Sequence, residues 1–205
     1  RSFAVRIVLP ALLGVGLFVA ALYAVLLPAF ERSLLERKRE LIRELTRSAW
    51  SILAECESEE RAGRSTRAEA QRTAAARIES LRYGSEGKDN FWIQDLQPRM
   101  VMHPYRKDLN GQDVSEFRDS RGVRIFVEFA DLVGRQGDGY LAYVWQWKDD
   151  PRRLAPKESY IKGFAPWGWI VGTGLYSEDV QAEIARAERG FLRLSLGIAA
   201  VVGAL

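Results

Sequence analysis

The chain is poor in the residues from which catalytic and metal centres are commonly assembled. Its 205 residues include one cysteine, Cys56, and one histidine, His103. A single cysteine excludes an intrachain disulfide and a cysteine-based structural zinc site. A single histidine, with no carboxylates clustered around it at ligand spacing, gives no metal site to read. Nor can a nucleophile, a base and an orienting group be assembled convincingly from the sequence. The expectation is a binding protein, neither an enzyme nor the carrier of a cofactor. Excess charge is missing too. Of the 30 Lys and Arg, only Arg1, Arg6 and Arg193 fall outside residues 31–190, and all 27 acidic residues fall inside, so that stretch is neutral. A nucleic-acid partner therefore loses its main support.

What the chain does have is a charge-free run, IVLPALLGVGLFVAALYAVLLPAF, over residues 7–30. At about 1.5 Å per residue it spans a hydrocarbon core of roughly 30 Å. It is read as a transmembrane helix, since a cleaved signal has a shorter apolar core and a small-residue cleavage site. Arg1 and Arg6 before it point to a cytoplasmic N-terminus. A second apolar run, FLRLSLGIAAVVGAL from about residue 191 to 205, is too short to span. It is expected to be the first part of a second membrane helix, and the opening Arg fits a piece of a longer protein.

Between the runs, residues 31–62 read as a long amphipathic helix with Leu34, Leu41, Leu45, Ser48, Ile52 and Cys56 along one stripe. That stripe can face a sheet or a second copy of the chain, and a homodimer is expected. Thr66 and Glu69 form a capping box before a second helix, residues 66–83, ended by Gly84. From Phe91 the period changes to two. FWIQD and RMVMH flank a turn, and GYLAYVWQW, SYIKGFAP and WGWIVGTGLYS follow, with a helix at about residues 123–134 between the second and third strands. The fold class is α+β, with an antiparallel sheet of about five strands over residues 91–176. An outgoing helix over residues 177–205 leads to the membrane.

Four blocks in order, GKDNFWIQDLQPRMVMHP, LNGQDVSEFRDSRGVRIFVEF, GDGYLAYVWQW and PKESYIKGFAPWGWIVGTGLYSEDV, resemble the single Cache sensor domains, type 2, of bacterial chemoreceptors and sensor kinases. The resemblance covers about residues 31–180. It implies a PAS-like sheet with the long helix packed on one face, an extracytoplasmic location at the inner membrane, and a pocket for small organic acids on the other face. It also implies a cytoplasmic output, which could be a chemoreceptor hub, a histidine kinase or a cyclase. A membrane-anchored hydrolase and a structural dimerisation stalk are the rivals from other classes.

The candidate site follows from side-chain chemistry. Alternation puts His103 and Val101 on one face of the second strand, with Met100 and Met102 on the other. Tyr143 and Trp145 share a face of the third strand, Lys157 precedes the fourth, and Tyr160 lies on it. Imidazole, phenol and ammonium donors can converge on a carboxylate while Trp92 and Trp145 exclude water. The predicted ligand-binding set is therefore His103, Tyr143, Lys157, Tyr160, Trp145 and Trp92. A lone histidine can equally be a hydrogen-bonded structural residue. Gly172 and Gly174 have no helix at phosphate-loop spacing and read as room for a bulky neighbour or a ligand. Trp167 and Trp169 read as core.

Overall fold

The computed structural model describes residues 2–204. Arg1 and Leu205 lie outside the described residues, as does the side chain of Arg6, on which the orientation reading leans. The chain divides into two compact units, residues 38–178, and residues 1–37 with 179–205.

The second of these is helical. Helix α1 (Ser2–Ala21) passes through a π-helical turn (Leu22–Leu26) into α2 (Leu27–Arg61), whose first residues belong here, and α5 (Ser177–Ala204) supplies the rest. The N-terminal run is long and apolar enough to cross a membrane.

Residues 38–178 form an α+β unit around a six-stranded antiparallel sheet: β1 (Arg82–Tyr83), β2 (Asp89–Asp95), β3 (Met100–Met102), β4 (Asp138–Trp147), β5 (Asp150–Phe164) and β6 (Trp169–Tyr176). The order is β1-β2-β6-β5-β4, with β3 also paired to β2. Residues directly opposite in an antiparallel pair share a face. The register Phe91↔Thr173↔Tyr160↔Tyr140 therefore defines one face, and Trp92↔Gly172↔Ile161↔Gly139 the other.

The first face is covered by α2 and α3 (Arg67–Glu79), which bury Ala49, Leu53, Cys56, Ala70, Ala74 and Ile78 against Phe91, Ile93, Phe164, Trp169 and Val171. The capping box forms as expected, with the Glu69 N–H donated to Thr66 Oγ1 and Thr66 N–H to Glu69 Oε2. Helix α3 stops at Glu79, before Gly84. The buried stripe of α2 is displaced from the expected one: Ile42, Thr46, Ala49, Leu53 and Cys56 are buried, while Leu41 is exposed. Small residues win because they let α2 approach β5. Thr46 Oγ1 donates to Tyr160 O at 3.3 Å and Trp50 Nε1 to Gly163 O at 2.9 Å.

The second face is covered by α4 (Ile125–Gln136) and the segment before it, which bury Val114, Ile125, Phe126 and Phe129 against Trp92, Tyr143, Trp145, Ile161 and Ile170. A bulge in the β2–β3 ladder corrects one expectation. Gln94 pairs with Met100 and Ile93 with Met102, so the two methionines lie on opposite faces, Met100 with α4 and Met102 with α2 and α3.

Candidate ligand-binding site

On the α4 face lies a closed, tightly walled cavity lined by Trp92, His103, Phe126, Tyr143 and Trp145. Four of these five belong to the set expected from sequence. Strand alternation supplies Trp92 from β2 and the pair Tyr143 and Trp145 from β4. Phe126 comes from the first turn of α4, where the buried Gln94 side chain of β2 donates Nε2 to its carbonyl at 2.8 Å and ties that turn to the sheet. The walls interlock: Trp92 stacks on Phe129 with centroids 4.7 Å apart, and Trp145 meets Phe126 edge-on at 5.7 Å.

His103 directly follows β3, and the bulge that sends Met102 to the far face leaves His103 on the cavity side. Its backbone N–H is donated to Asn110 Oδ1 at 2.8 Å. Its ring accepts at Nδ1 the N–H groups of Tyr105, at 3.2 Å, and Arg106, at 3.0 Å. With Nδ1 an acceptor the neutral imidazole carries its proton on Nε2. That atom is buried and meets no hydrogen-bonding partner among the described residues. Burial, then the positive charges of Lys157 and Arg106, lower the pKa to about 3. His103 is therefore a neutral donor, offering one N–H to the cavity.

Lys157 lies inside β5, which begins at Asp150, earlier than alternation in the sequence suggests. It pairs with Tyr143 across β4 and so shares the cavity face without lining the cavity itself. It is buried, and its Nζ is 3.5 Å from Tyr176 Oη, at the outer limit of a hydrogen bond. Burial lowers its pKa to about 8, against the opposing pull of Asp89. The Tyr143 hydroxyl shares a hydrogen bond of 2.9 Å with Ser159 Oγ, and burial raises its pKa.

Tyr160 is a correction. Its register partners Thr173 and Tyr140 place it on the α2 face, where its ring lies 4.8 Å from that of Tyr140. Period two forbids Lys157 and Tyr160 from sharing a face, whereas Ser159, two residues from Lys157, does share it. Alternation alone could have found Ser159. Three further contributors have weaker signals. Phe126 sits on a helix. Arg106, paired with Asp108, holds its guanidinium 5.9 Å from the Trp145 ring. Asp119 is a buried carboxylate that accepts the N–H groups of Arg121, Val123 and Val144 at 2.8 to 2.9 Å. Burial works to raise its pKa, but these donors outweigh it and hold it low. Asp119 thereby fastens the segment that follows His103 to the edge strand β4.

Against known proteins, residues 34–190 match the Single Cache domain 2 family. The chain is 40% identical over 166 residues to the methyl-accepting chemotaxis protein McpP of Pseudomonas putida, an alignment covering 81% of this chain and 30% of that protein. It is 31% identical over 161 residues to the sensor histidine kinase MctS of Rhizobium johnstonii, covering 78% of this chain and 33% of that one. It thus spans about a third of the length of these relatives. Among solved structures, the periplasmic sensor domain of a chemotaxis protein superposes with a TM-score of 0.67 at 36% identity, over 70% of this chain and 97% of that domain. A Cache chemosensory domain studied for carboxylic acid recognition gives 0.67 at 38% identity, over 71% and 97%. The fold, the cavity face and these likenesses agree: the chain belongs to the Single Cache domain 2 family of sensor domains.

Proposed function

We propose that the unit formed by residues 38–178 is the extracytoplasmic, periplasmic ligand-sensing domain of a bacterial inner-membrane signal transducer of the chemoreceptor kind. In this reading it binds a short monocarboxylate in the aromatic cavity. The observation that carries the reading is the unpartnered Nε2–H of a neutral His103 in that cavity, with the buried ammonium of Lys157 beside it on the same sheet face. Both are donors, and among the described residues no carboxylate side chain lines the cavity. Desolvated donors favour an anion, because charge-assisted hydrogen bonds are shorter and about twice as strong as neutral ones. The aromatic walls suit a short alkyl tail. The likeness to a carboxylic-acid-recognising Cache domain supports the same ligand class.

The cavity is nowhere wide enough for a water-sized sphere, so occupancy by an acid of two or three carbons requires its walls to part. A ligand that binds the parted arrangement better than the closed one shifts the population between them. A coupling of about 1 to 3 kcal/mol changes the signalling population roughly 5- to 150-fold. Two membrane-spanning helices would carry that shift across the bilayer, one before the domain and one beginning near residue 191. A homodimer joined along the N-terminal helix would present the exposed Leu41 to its partner.

The test is a thermal-shift screen of the chain in detergent against C2 to C4 carboxylates, amino acids, sugars and amines. Acetate, propionate, pyruvate or lactate should give the largest rise, worth about 2.7 kcal/mol at a hundred times Kd. Silence from every carboxylate beside a response to amines or sugars would sink the reading.

A further inference from the structure

Lys157 sits in the middle of a row that crosses three strands. Its partner in β4 is Tyr143, a wall of the cavity, and its partner in β6 is Tyr176, the last residue of that strand. The ammonium lies 4.8 Å from the centroid of the Tyr176 ring as well as 3.5 Å from its hydroxyl. Tyr176 is 1% exposed and tightly held. It donates to Gln146 O at 2.7 Å, accepts the Lys148 N–H at 3.0 Å and packs its ring 4.7 Å from that of Trp147. These contacts pin the turn between β4 and β5 to the end of β6. The next residue, Ser177, opens α5 with no linker between. Outside Trp147, the Arg153 guanidinium lies 4.1 Å over the indole and pairs with Glu178 in the first turn of α5.

We propose that Tyr176, braced by the Arg153–Glu178 pair, is the residue that passes the state of the cavity to α5, with Lys157 as its moving partner. The inference rests on the carboxylate reading of the site. In the closed cavity the ammonium meets the Tyr176 ring face and makes one long hydrogen bond to its hydroxyl, with the Asp89 carboxylate adding a longer-range attraction. A carboxylate beside it offers a charge-assisted bond of normal length, which is the better partner. Lys157 then leaves Tyr176 for the ligand. The end of β6 loses a cation from its inner side, and α5 begins one residue later. The two arrangements differ in their contacts with the ligand, as a population shift requires. The coupling is local, because every group in it lies between residues 143 and 178.

The experiment compares the whole chain in lipid nanodiscs with Tyr176→Phe and Glu178→Gln, using propionate and acetate as probes. Affinity is read by calorimetry, and backbone hydrogen exchange is read over residues 177–185. In the parent chain saturating propionate should change exchange in that segment by at least about fivefold. Tyr176→Phe keeps the ring but loses the hydroxyl that joins β6 to residues 146 and 148. It should bind propionate within about threefold of the parent, a difference of well under 1 kcal/mol by the affinity relation, and lose the exchange response. Glu178→Gln alters only an exposed ion pair, so it folds whether or not Tyr176→Phe does, and it should weaken the response at unchanged affinity. The relay is overturned if the variants that fold keep the parent's response, or if the parent binds and residues 177–185 do not respond. If the parent binds neither acid, the carboxylate reading fails first and the relay falls with it.

Discussion

The ring of His103 accepts the backbone N–H of Arg106 at 3.0 Å, and this one contact gives the residue two roles. It folds the start of the segment that leads to α4, and it sets the tautomer that puts the proton on Nε2. The two roles can be separated. His103→Asn keeps an acceptor near the position of Nδ1 and removes the Nε2 donor. It should melt close to the parent and bind acetate or propionate more weakly by about 1.5 to 3 kcal/mol, the range for hydrogen bonds to charged groups. His103→Ala leaves two part-buried backbone donors without this acceptor and should lose stability as well, by at most about 1 to 3 kcal/mol for each, the penalty for a fully buried group. Calorimetry and melting curves on both variants decide it: equal affinity in parent and His103→Asn would make the histidine structural only.

The buried ammonium of Lys157 makes two pH dependences of opposite sign. Its pKa is about 8 in the folded chain against an ordinary 10.5, chiefly from burial. Between those values the unfolded chain holds a proton that the folded chain has released, so stability should rise with pH across that window. Affinity for a carboxylate should do the reverse. It is full below pH 8, where the ammonium is charged, and falls as pH rises through that value. The decline should approach about tenfold per pH unit, the limit for one linked proton. Lys157→Met should flatten both curves. Propionate affinity that stays constant in the parent from below pH 8 to well above it would remove Lys157 from the site.

Period-two patterning is legible in the sequence wherever the strands are regular, which is why alternation groups Tyr143 with Trp145, whereas Trp92, on another strand, joins them by its chemistry and is placed on their face by the register. It fails at two places for two physical reasons. The β2–β3 bulge adds a residue to one strand, so Met100 and Met102 take opposite faces, and nothing in the local sequence marks where the slip occurs. Tyr160 is misplaced when chemistry is counted ahead of parity, since an aromatic hydroxyl near Lys157 is attractive on paper but lies on the α2 side. The stripe of α2 differs from its hydrophobic pattern because leucines outweigh Thr46 and Ala49 in hydrophobicity, whereas close helix–sheet packing prefers the smaller pair. Asp119 and Arg106 act through backbone and ring contacts across long sequence separations, which no local pattern encodes.

The two faces of the sheet should respond differently to substitution. Trp167 packs between Phe164 and Trp169 on the α2 face and donates Nε1 to Glu60 at 2.7 Å. Trp167→Ala should cost about 3 to 5 kcal/mol of stability, as for other large buried aromatics. The fraction that stays folded should bind ligand with parental affinity. Tyr160→Phe should likewise leave affinity unchanged. Isotherms at low temperature, where the folded fraction is highest, check both; a loss of affinity in Tyr160→Phe would contradict its assignment to the far face.

Gly174 tests how tightly the Lys157 side chain is placed. It pairs with Ser159 across β6 and β5, and a Cβ added to it would collide with Ser159 Oγ, lie 2.6 Å from Glu158 O and lie 2.9 Å from Lys157 Cε. The backbone carbonyl cannot withdraw without breaking the ladder, so the strands must separate or the side chains must shift. Overpacking of this kind costs about 1 to 3 kcal/mol. Gly172→Ala meets Trp92 Cζ2 and Ile161 Cγ2 at 2.9 Å, apolar atoms of the core, and should cost a similar amount. The two differ in what they displace. Gly174→Ala pushes on the ammonium's own stem and on the hydroxyl that holds Tyr143, so it should weaken propionate binding beyond its effect on folding and shift the pH at which affinity declines. Gly172→Ala presses on a cavity wall and should weaken binding without moving that pH. Affinity profiles against pH for the two variants distinguish them, and identical midpoints would mean that Gly174 provides room for the strand alone.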